Sequence, residues 1–335
     1  MERLTQSAGR AAYLSELSKL KLPEKSGNIT VLDLFAGCGG LSLGFEAAGF
    51  QTIGFEKSTL YSETYNRNLV GNCQQVVLDE STEYPPADVV IGGPPCQPWS
   101  EAGKNLGSTD ERDGFPAFIH CIKKVQPKLF IVENVKGLTF EKNRPYLTHI
   151  IHQFEELGYT TECHIVRMSD YGVPQNRERL FIVGHHGHFS LPPKCQQKFT
   201  VHHALGSMAK YPAINGKYLT PSEDEYIANY EEKCQLKTPR DLHLDRPART
   251  LTCRNLSGST SDMLRLVMPD GRRRKLRVKE AARLQAFPDW FTFTGSDAKA
   301  FEQIGQSVPP LFSFQLAKSV TDYLNYITKD KVIVA

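Results

Sequence analysis

The chain has 335 residues, 40% of them hydrophobic and 23% charged, with a formal net charge of +3. These proportions belong to a globular protein and exclude long disorder, collagen and coiled coil as global descriptions. No run of about 18 apolar residues is present, and the polar N-terminus lacks a secretory core, so neither a membrane span nor a signal segment is expected.

The charge is unevenly spread. Residues 240–283 hold 12 basic and five acidic side chains. Such a stripe is an expected footprint for phosphate contacts, against the plainer reading of a solvated surface. Eight cysteines are scattered without a C-x-x-C pair, which gives no zinc or thioredoxin-type motif and leads to the expectation of a cytoplasmic protein with free thiols.

In chain order, Ala11–Leu20 has helical spacing before the breakers Pro23, Ser26 and Gly27. Residues 1–27 therefore read as an N-terminal appendage, expected to cap the sheet. Ile29–Phe35 suits a buried parallel strand. Leu41–Ala48 is a helical pattern closed by Gly49, and Gln51–Phe55 is a short strand. Asp88–Gly92, Leu129–Glu133 and Leu180–Val183 are further strands, with helical patterns at Phe115–Val125 and Tyr146–Leu157. This alternation predicts an α/β fold with an open, mostly parallel sheet. After Gly184 the periodicity fades. Leu264–Val267 and Leu276–Val278, joined by Pro269-Asp270-Gly271, predict a hairpin with an Asp-Gly turn. A short helix over Lys279–Phe287 and a last amphipathic helix over Leu311–Ile327 follow.

Four segments carry chemistry. Asp33-Leu34-Phe35-Ala36-Gly37-Cys38-Gly39-Gly40 lies between a strand and a helix, where glycines let backbone approach a ligand and a helix N-terminus favours an anionic group. Glu56, at the end of the second strand, is placed to accept ribose hydroxyls, and Asp79, after Val76–Leu78, an adenine amino group. The dinucleotide fingerprint fails because Ser42 replaces its third glycine, which argues for a different adenosine cofactor. Gly93-Pro94-Pro95-Cys96-Gln97 follows a strand, and its two prolines stiffen the loop that aims the Cys96 thiol. The Gly-, Ser- and Asn-rich stretch to Arg112 has the composition of a lid. Glu133-Asn134-Val135 ends a third strand, and Gln175-Asn176-Arg177-Glu178-Arg179 precedes a fourth. The pairs His185-His186 and His202-His203 match no standard ligand set and read as polar loop, so no metal is expected.

Taken in order, these segments resemble the DNA (cytosine-5) methyltransferases of bacterial restriction–modification type. Phe35-x-Gly37-x-Gly39-Gly40 resembles the S-adenosylmethionine loop of that family, Pro94-Pro95-Cys96-Gln97 its nucleophile motif, and Glu133-Asn134-Val135 its acid motif. Gln175-x-Arg177-x-Arg179 resembles its arginine motif. Two late motifs are matched by Arg283–Asp289 and Gly305–Pro310. Three departures stand out: Gln306 where the family usually has Asn, Trp99 for Phe and Ala286 for Gly.

The resemblance implies a Rossmann-like, S-adenosylmethionine-dependent methyltransferase fold with a smaller target-recognition domain. It divides the chain into an appendage (1–27), a catalytic domain (28–184 with 304–335) and a recognition domain (185–303). The implied cofactor residues are Phe35, Ala36, Gly37, Cys38, Gly39, Gly40, Glu56, Lys57, Asp79, Glu80, Pro95 and Gln306. Cys96 is implied as the nucleophile on cytosine C6. Glu133 would hydrogen-bond N3, Arg179 would hold O2 and Arg177 would order the loop. The target base would flip out of the duplex. Gln97, Ser100, Arg112, Thr250, Leu251, Arg254 and the basic run Arg272, Arg273, Arg274 and Lys275 are the expected contacts to double-stranded DNA, the run lying on phosphates. A monomer, with a cognate restriction or defence system as partner, completes the expectation. The alternative readings are a tRNA cytosine-5 methyltransferase, whose Cys-Phe-Thr tripeptide is not found here, a non-catalytic DNA-binding relative, and a nucleotide oxidoreductase.

Overall fold

A computed structural model describes residues 2–24, 27–95, 113–212, 218–236, 239–258 and 261–333. The first half runs α1 (Glu2–Ser18), β1 (Thr30–Leu34), α2 (Gly40–Ala47), β2 (Gln51–Glu56), α3 (Thr59–Asn68), β3 (Asn72–Gln75), β4 (Val89–Gly92), α4 (Phe115–Val125), β5 (Leu129–Val135), α5 (Arg144–Glu156) and β6 (Thr160–Arg167). The second half runs β7 (Gln175–Asn176), β8 (Glu178–His185), α6 (Val201–Leu205), α7 (Pro221–Lys233), β9 (Ala248–Arg249), α8 (Cys253–Ser257), β10 (Arg265–Val267), β11 (Arg273–Lys275), α9 (Val278–Leu284), α10 (Asp297–Gln306) and α11 (Pro310–Ile333).

The chain forms two compact units. One comprises Leu20–Arg167, Glu178–Lys194 and Phe312–Ala335. It holds a seven-stranded sheet in the order β3-β2-β1-β4-β5-β8-β6. The first five of these strands are parallel, and β8 runs antiparallel to both β5 and β6. Strand order reverses between β1 and β4, so the carboxyl ends of these two strands flank the crevice where open α/β sheets take their ligands. Central strands are apolar because both faces are covered: Leu32, Val90, Phe130, Val132 and Ile182 are fully buried with Phe118 and Phe154 of α4 and α5. Each such side chain contributes roughly 1.5–3 kcal/mol. The edge strands β3 and β6 are polar, and their sequences lack the apolar run that marks the others.

The other unit comprises Met1–Lys19, Met168–Arg177 and Cys195–Leu311. The contacts described for α1 lie in this unit, against the expectation that it caps the parallel sheet. Tyr13 is fully buried, donates to the carbonyl of Arg283 and packs on the ring of Phe199 at 5.2 Å. The hairpin also departs from expectation. Its second strand is Arg273–Lys275 rather than Leu276–Val278, in register Val267↔Arg273 and Arg265↔Lys275. Met268 N donates to Arg272 O at 2.8 Å across the Asp-Gly turn, so pairing begins at once after it. From Arg273 onward the basic run is therefore the strand itself, with alternating faces.

Candidate active site

The loop after β1 is bent by its backbone. Phe35 has φ 58°, Gly37 56° and Gly39 87°. A left-handed non-glycine residue such as Phe35 is a strained feature of the kind that gathers at functional sites. Nothing lies within 4 Å of the place a Gly37 Cβ would take, whereas a Cβ on Gly39 would meet Leu69 at 2.6 Å and Tyr65 at 2.8 Å. The loop is pinned to β2: Ala36 N donates to Phe55 O at 3.1 Å, and Gly37 N donates to Glu56 Oε2 at 2.9 Å. Glu56 Oε1 accepts from Ser58 N at 2.8 Å. Gly39 is the N-terminal cap of α2 and offers no side chain to its first turn. Open space at Gly37, a strained aromatic and a carboxylate tied to the loop suit an adenosine-type cofactor carrying a carboxylate end.

The other cofactor positions are more varied. Lys57 and Glu80 are exposed, and Ala36, Cys38 and Gly40 are buried. The Asp79 carboxylate serves its own turn through Ser81 N at 2.8 Å and Ser81 Oγ at 2.7 Å; these bonds lower its pKa. Gln306 is exposed at the end of α10. A cleft of about 360 Å³ along α4 and α5 is lined by Glu80, Asp113, Phe115, His120 and Tyr146, and touches the predicted set only at Glu80.

The chemistry converges at the carboxyl ends of β4 and β5. Gly92 lies against β1, where a Cβ would meet Leu34 O at 2.3 Å. Asn134 Nδ2 donates to Pro94 O at 3.1 Å, which fixes the segment two residues before Cys96. Gly114 N donates to Pro95 O at 2.9 Å, and a Cβ at Gly114 would crowd Pro95 and Phe35. Glu133 Oε1 and Arg179 Nε form an ion pair at 3.1 Å, with side chains 12% and 15% exposed. The ladder that pairs Val135 with Arg179 makes this possible. Burial lowers the pKa of the Arg179 guanidinium while Glu133 opposes that shift, and an arginine remains charged throughout. Glu133, Asn134, Arg179 and the Pro94–Pro95 backbone thus share one end of the sheet. Cys96, Gln97, Ser100 and Arg112 lie outside the described residues.

Arg177 has a different place. It is buried, and Nη1 donates to Leu251 O at 2.9 Å and Gly305 O at 3.2 Å. Gln175 joins it, accepting from Leu251 N at 2.8 Å and donating to Gln285 Oε1 at 2.6 Å. The Thr250 hydroxyl donates to Asn176 O at 2.9 Å. The first two thirds of the arginine motif therefore bind backbone within their own unit.

The basic run needs correction. Arg274 is 1% exposed and pairs with the buried Glu280 through two contacts of 2.8 Å, so it cannot lie on phosphates. Charge taken out of water needs a partner, and Glu280 supplies it. Arg273 pairs with Asp224 at 3.0 Å and Lys275 with Glu223 at 3.7 Å. Arg272 is held by Asp270 at 2.7 Å and lies 3.7 Å over the Tyr218 ring, but remains exposed. Arg254 is exposed on α8. Sequence reasoning missed the acids: Asp262 holds Arg240 and Arg249, and Glu231 and Asp241 hold the buried Arg265. His185 is also no loop residue; it is buried at the end of β8, 3.2 Å from Glu162. Among the described residues no group of three His, Cys, Asp or Glu could hold a metal, and no helix is long and apolar enough to cross a membrane.

The sheet order, with a glycine loop after β1 and a Pro-Pro segment after β4, is that of the S-adenosylmethionine-dependent methyltransferase class. Residues 29–322 match the C-5 cytosine-specific DNA methylase family, and the chain belongs to it. It is 50% identical over 313 residues to Type II methyltransferase M.AplI of Arthrospira platensis, covering 92% of this chain and 90% of that one. It is 34% identical to Type II methyltransferase M1.HphI of Haemophilus parahaemolyticus, covering 88% and 87%. Among solved structures, a prophage-encoded E. coli chain described as a DNA modification methyltransferase is similar with a TM-score of 0.67 at 25% identity, covering 89% and 100%. The Dnmt2 methyltransferase of S. pombe shares the fold, with a TM-score of 0.66 at 16% identity over 88% and 99%.

Proposed function

We propose that the protein methylates C5 of a flipped-out cytosine in a short double-stranded DNA site, within a restriction–modification or related defence system. Phe35 to Gly40 and Glu56 would hold S-adenosylmethionine, which would supply the methyl group. Cys96 as thiolate adds to C6 and turns the ring into an enamine whose C5 is nucleophilic. Glu133 hydrogen-bonds N3 as charge develops there, and Arg179 donates to O2. Asn134 holds the Pro94 carbonyl and so aims the loop that bears Cys96. After methyl transfer a base takes the C5 proton, and the C6–S bond breaks. Arg177 is a positioning residue that fixes the backbone at Leu251 and Gly305. Extruding the base costs a few kcal/mol. The exposed Arg254 and Arg272 and the half-buried Lys275 are the proposed DNA contacts.

The observation that carries this reading is the meeting of Glu133, Arg179 and the Pro94 backbone at one sheet end, beside a chain that continues directly to Cys96. The test is expression in a host without cytosine methylation, followed by base-resolution sequencing for 5-methylcytosine. Methylation at one short motif is expected. Cys96→Ser should abolish it, a loss of at least about 10²–10⁴-fold in rate, while DNA binding persists. An unmethylated wild-type genome would overturn the DNA reading and direct the purified protein to tRNA.

A further inference from the structure

Behind the cofactor loop, four short oxygen–oxygen contacts run in series. Asp33 Oδ2 lies 2.6 Å from Ser42 Oγ, which lies 3.0 Å from Tyr65 OH. Tyr65 OH lies 2.6 Å from Thr52 Oγ1, and Thr52 Oγ1 in turn contacts Glu46 Oε1. All five side chains belong to residues at most 3% exposed. At such distances each contact needs one hydrogen between its oxygens. The three hydroxyls supply three hydrogens, and two ionised carboxylates supply none. One contact would then set lone pairs face to face in a site away from water, where an unmet polar pair is costly. A fourth proton completes the series.

The surroundings favour one carboxyl for that proton. Glu46 accepts from Val70 N at 2.8 Å and Gly71 N at 2.9 Å, fixed backbone donors that stabilise an anion. Burial raises its pKa, and these bonds with Thr52 oppose the rise. Asp33 has a single backbone donor, from Ser42, against the two at Glu46, and it also feels the like charge of Glu56. Burial, the largest influence, pushes Asp33 up to about 7, with Ser42 opposing and Glu56 adding to the rise. The remaining titratable neighbours are Tyr65 and Cys73, and burial raises both, which keeps them neutral.

We propose that the working protein carries one extra proton in this series, on Asp33, and that neutral Asp33 is a positioning residue for the cofactor loop. The hydrogens then point one way, from Asp33 to Ser42, Tyr65, Thr52 and Glu46. The series joins the end of β1 to the first turn of α2, to α3 and to β2, the elements that present Phe35 to Gly40 and Glu56. Loss of the proton opens one link and loosens that first turn. The consequence for binding rests on the cofactor assignment above.

Two measurements test it. Infrared spectra should show the C=O stretch of a protonated carboxylic acid at neutral pH in wild type, and not in Asp33→Asn. Tyr65→Phe keeps both carboxyls yet leaves two contacts for two hydroxyls, so its band should titrate away at lower pH. A band that survives in Asp33→Asn, or that titrates in Tyr65→Phe at the wild-type pH, would overturn the proton count. Equilibrium binding of S-adenosylmethionine without DNA supplies the second readout. Wild-type affinity should fall about threefold or more as pH rises from about 6 to about 9, because deprotonation couples to binding. Asp33→Asn keeps a donor toward Ser42, and its affinity should not vary with pH. A wild-type affinity flat in pH while the band titrates would overturn the positioning role. Absence of binding in both proteins at every pH would instead count against the cofactor assignment, and the infrared result would still judge the proton.

Discussion

The loop at residues 35–40 and the basic strand β11 are both conspicuous for composition, one rich in glycine and the other in arginine. They behave in opposite ways. Gly37 and Gly39 act through their own dihedral angles, so their role follows from the residues themselves. Arg274 acts through whatever it meets, and what it meets is Glu280 inside the protein. A glycine's function is local, whereas an arginine's is relational, and a run of arginines is not yet a nucleic-acid surface.

The largest expected effect breaks that contrast on the charged side. Arg274→Ala leaves Glu280 buried without its partner and should cost about 3–5 kcal/mol in unfolding free energy, read by chemical denaturation. A loss as small as that of a surface substitution would mean the pair is not buried in solution. On the backbone side, Ala286 has φ +61° at a position where the family usually carries glycine. Ala286→Gly should stabilise the protein by about 0.5–1 kcal/mol, because left-handed backbone penalises a Cβ; an unchanged or lower melting midpoint would show that the methyl contributes more than the dihedral angle costs. The smallest structural effect is expected at Arg272, exposed over Tyr218. Arg272→Ala should leave the melting midpoint in place while the salt dependence of DNA binding weakens by about one in slope. An unchanged slope would remove Arg272 from the phosphate contacts.

The parallel strands and their loops were legible because a buried strand must be an apolar run and the turn after it needs glycine, as at Val31 to Gly40. The edge strands β3 and β6 were not, since their polar sequences, Asn-Cys-Gln-Gln among them, carry no burial signal. Glu133 and Arg179 could be named as candidates, but their ion pair depends on the antiparallel register of β8 against β5, which a sequence does not print. The apolar Leu276 and Val278 pull the expected second strand of the hairpin about three residues late, although Asp270-Gly271 already fixes where pairing starts. Partners such as Asp224 for Arg273, 49 positions away, are invisible without the fold. Glu280, six positions from Arg274, was within sight.

The arginine motif hands one guanidinium to each unit, with the chain passing between them after Arg177. Anyone grafting a new specificity onto this scaffold inherits that junction. A splice placed after residue 184 would leave Gln175 and Arg177 from the host facing the donor's equivalents of Leu251 and Gly305, and their carbonyl geometry would have to match by chance. Moving Met1–Lys19 and Met168–Arg177 together with Cys195–Leu311 transfers the lock with its key, and chimeras built to those limits should remain soluble where simpler swaps do not.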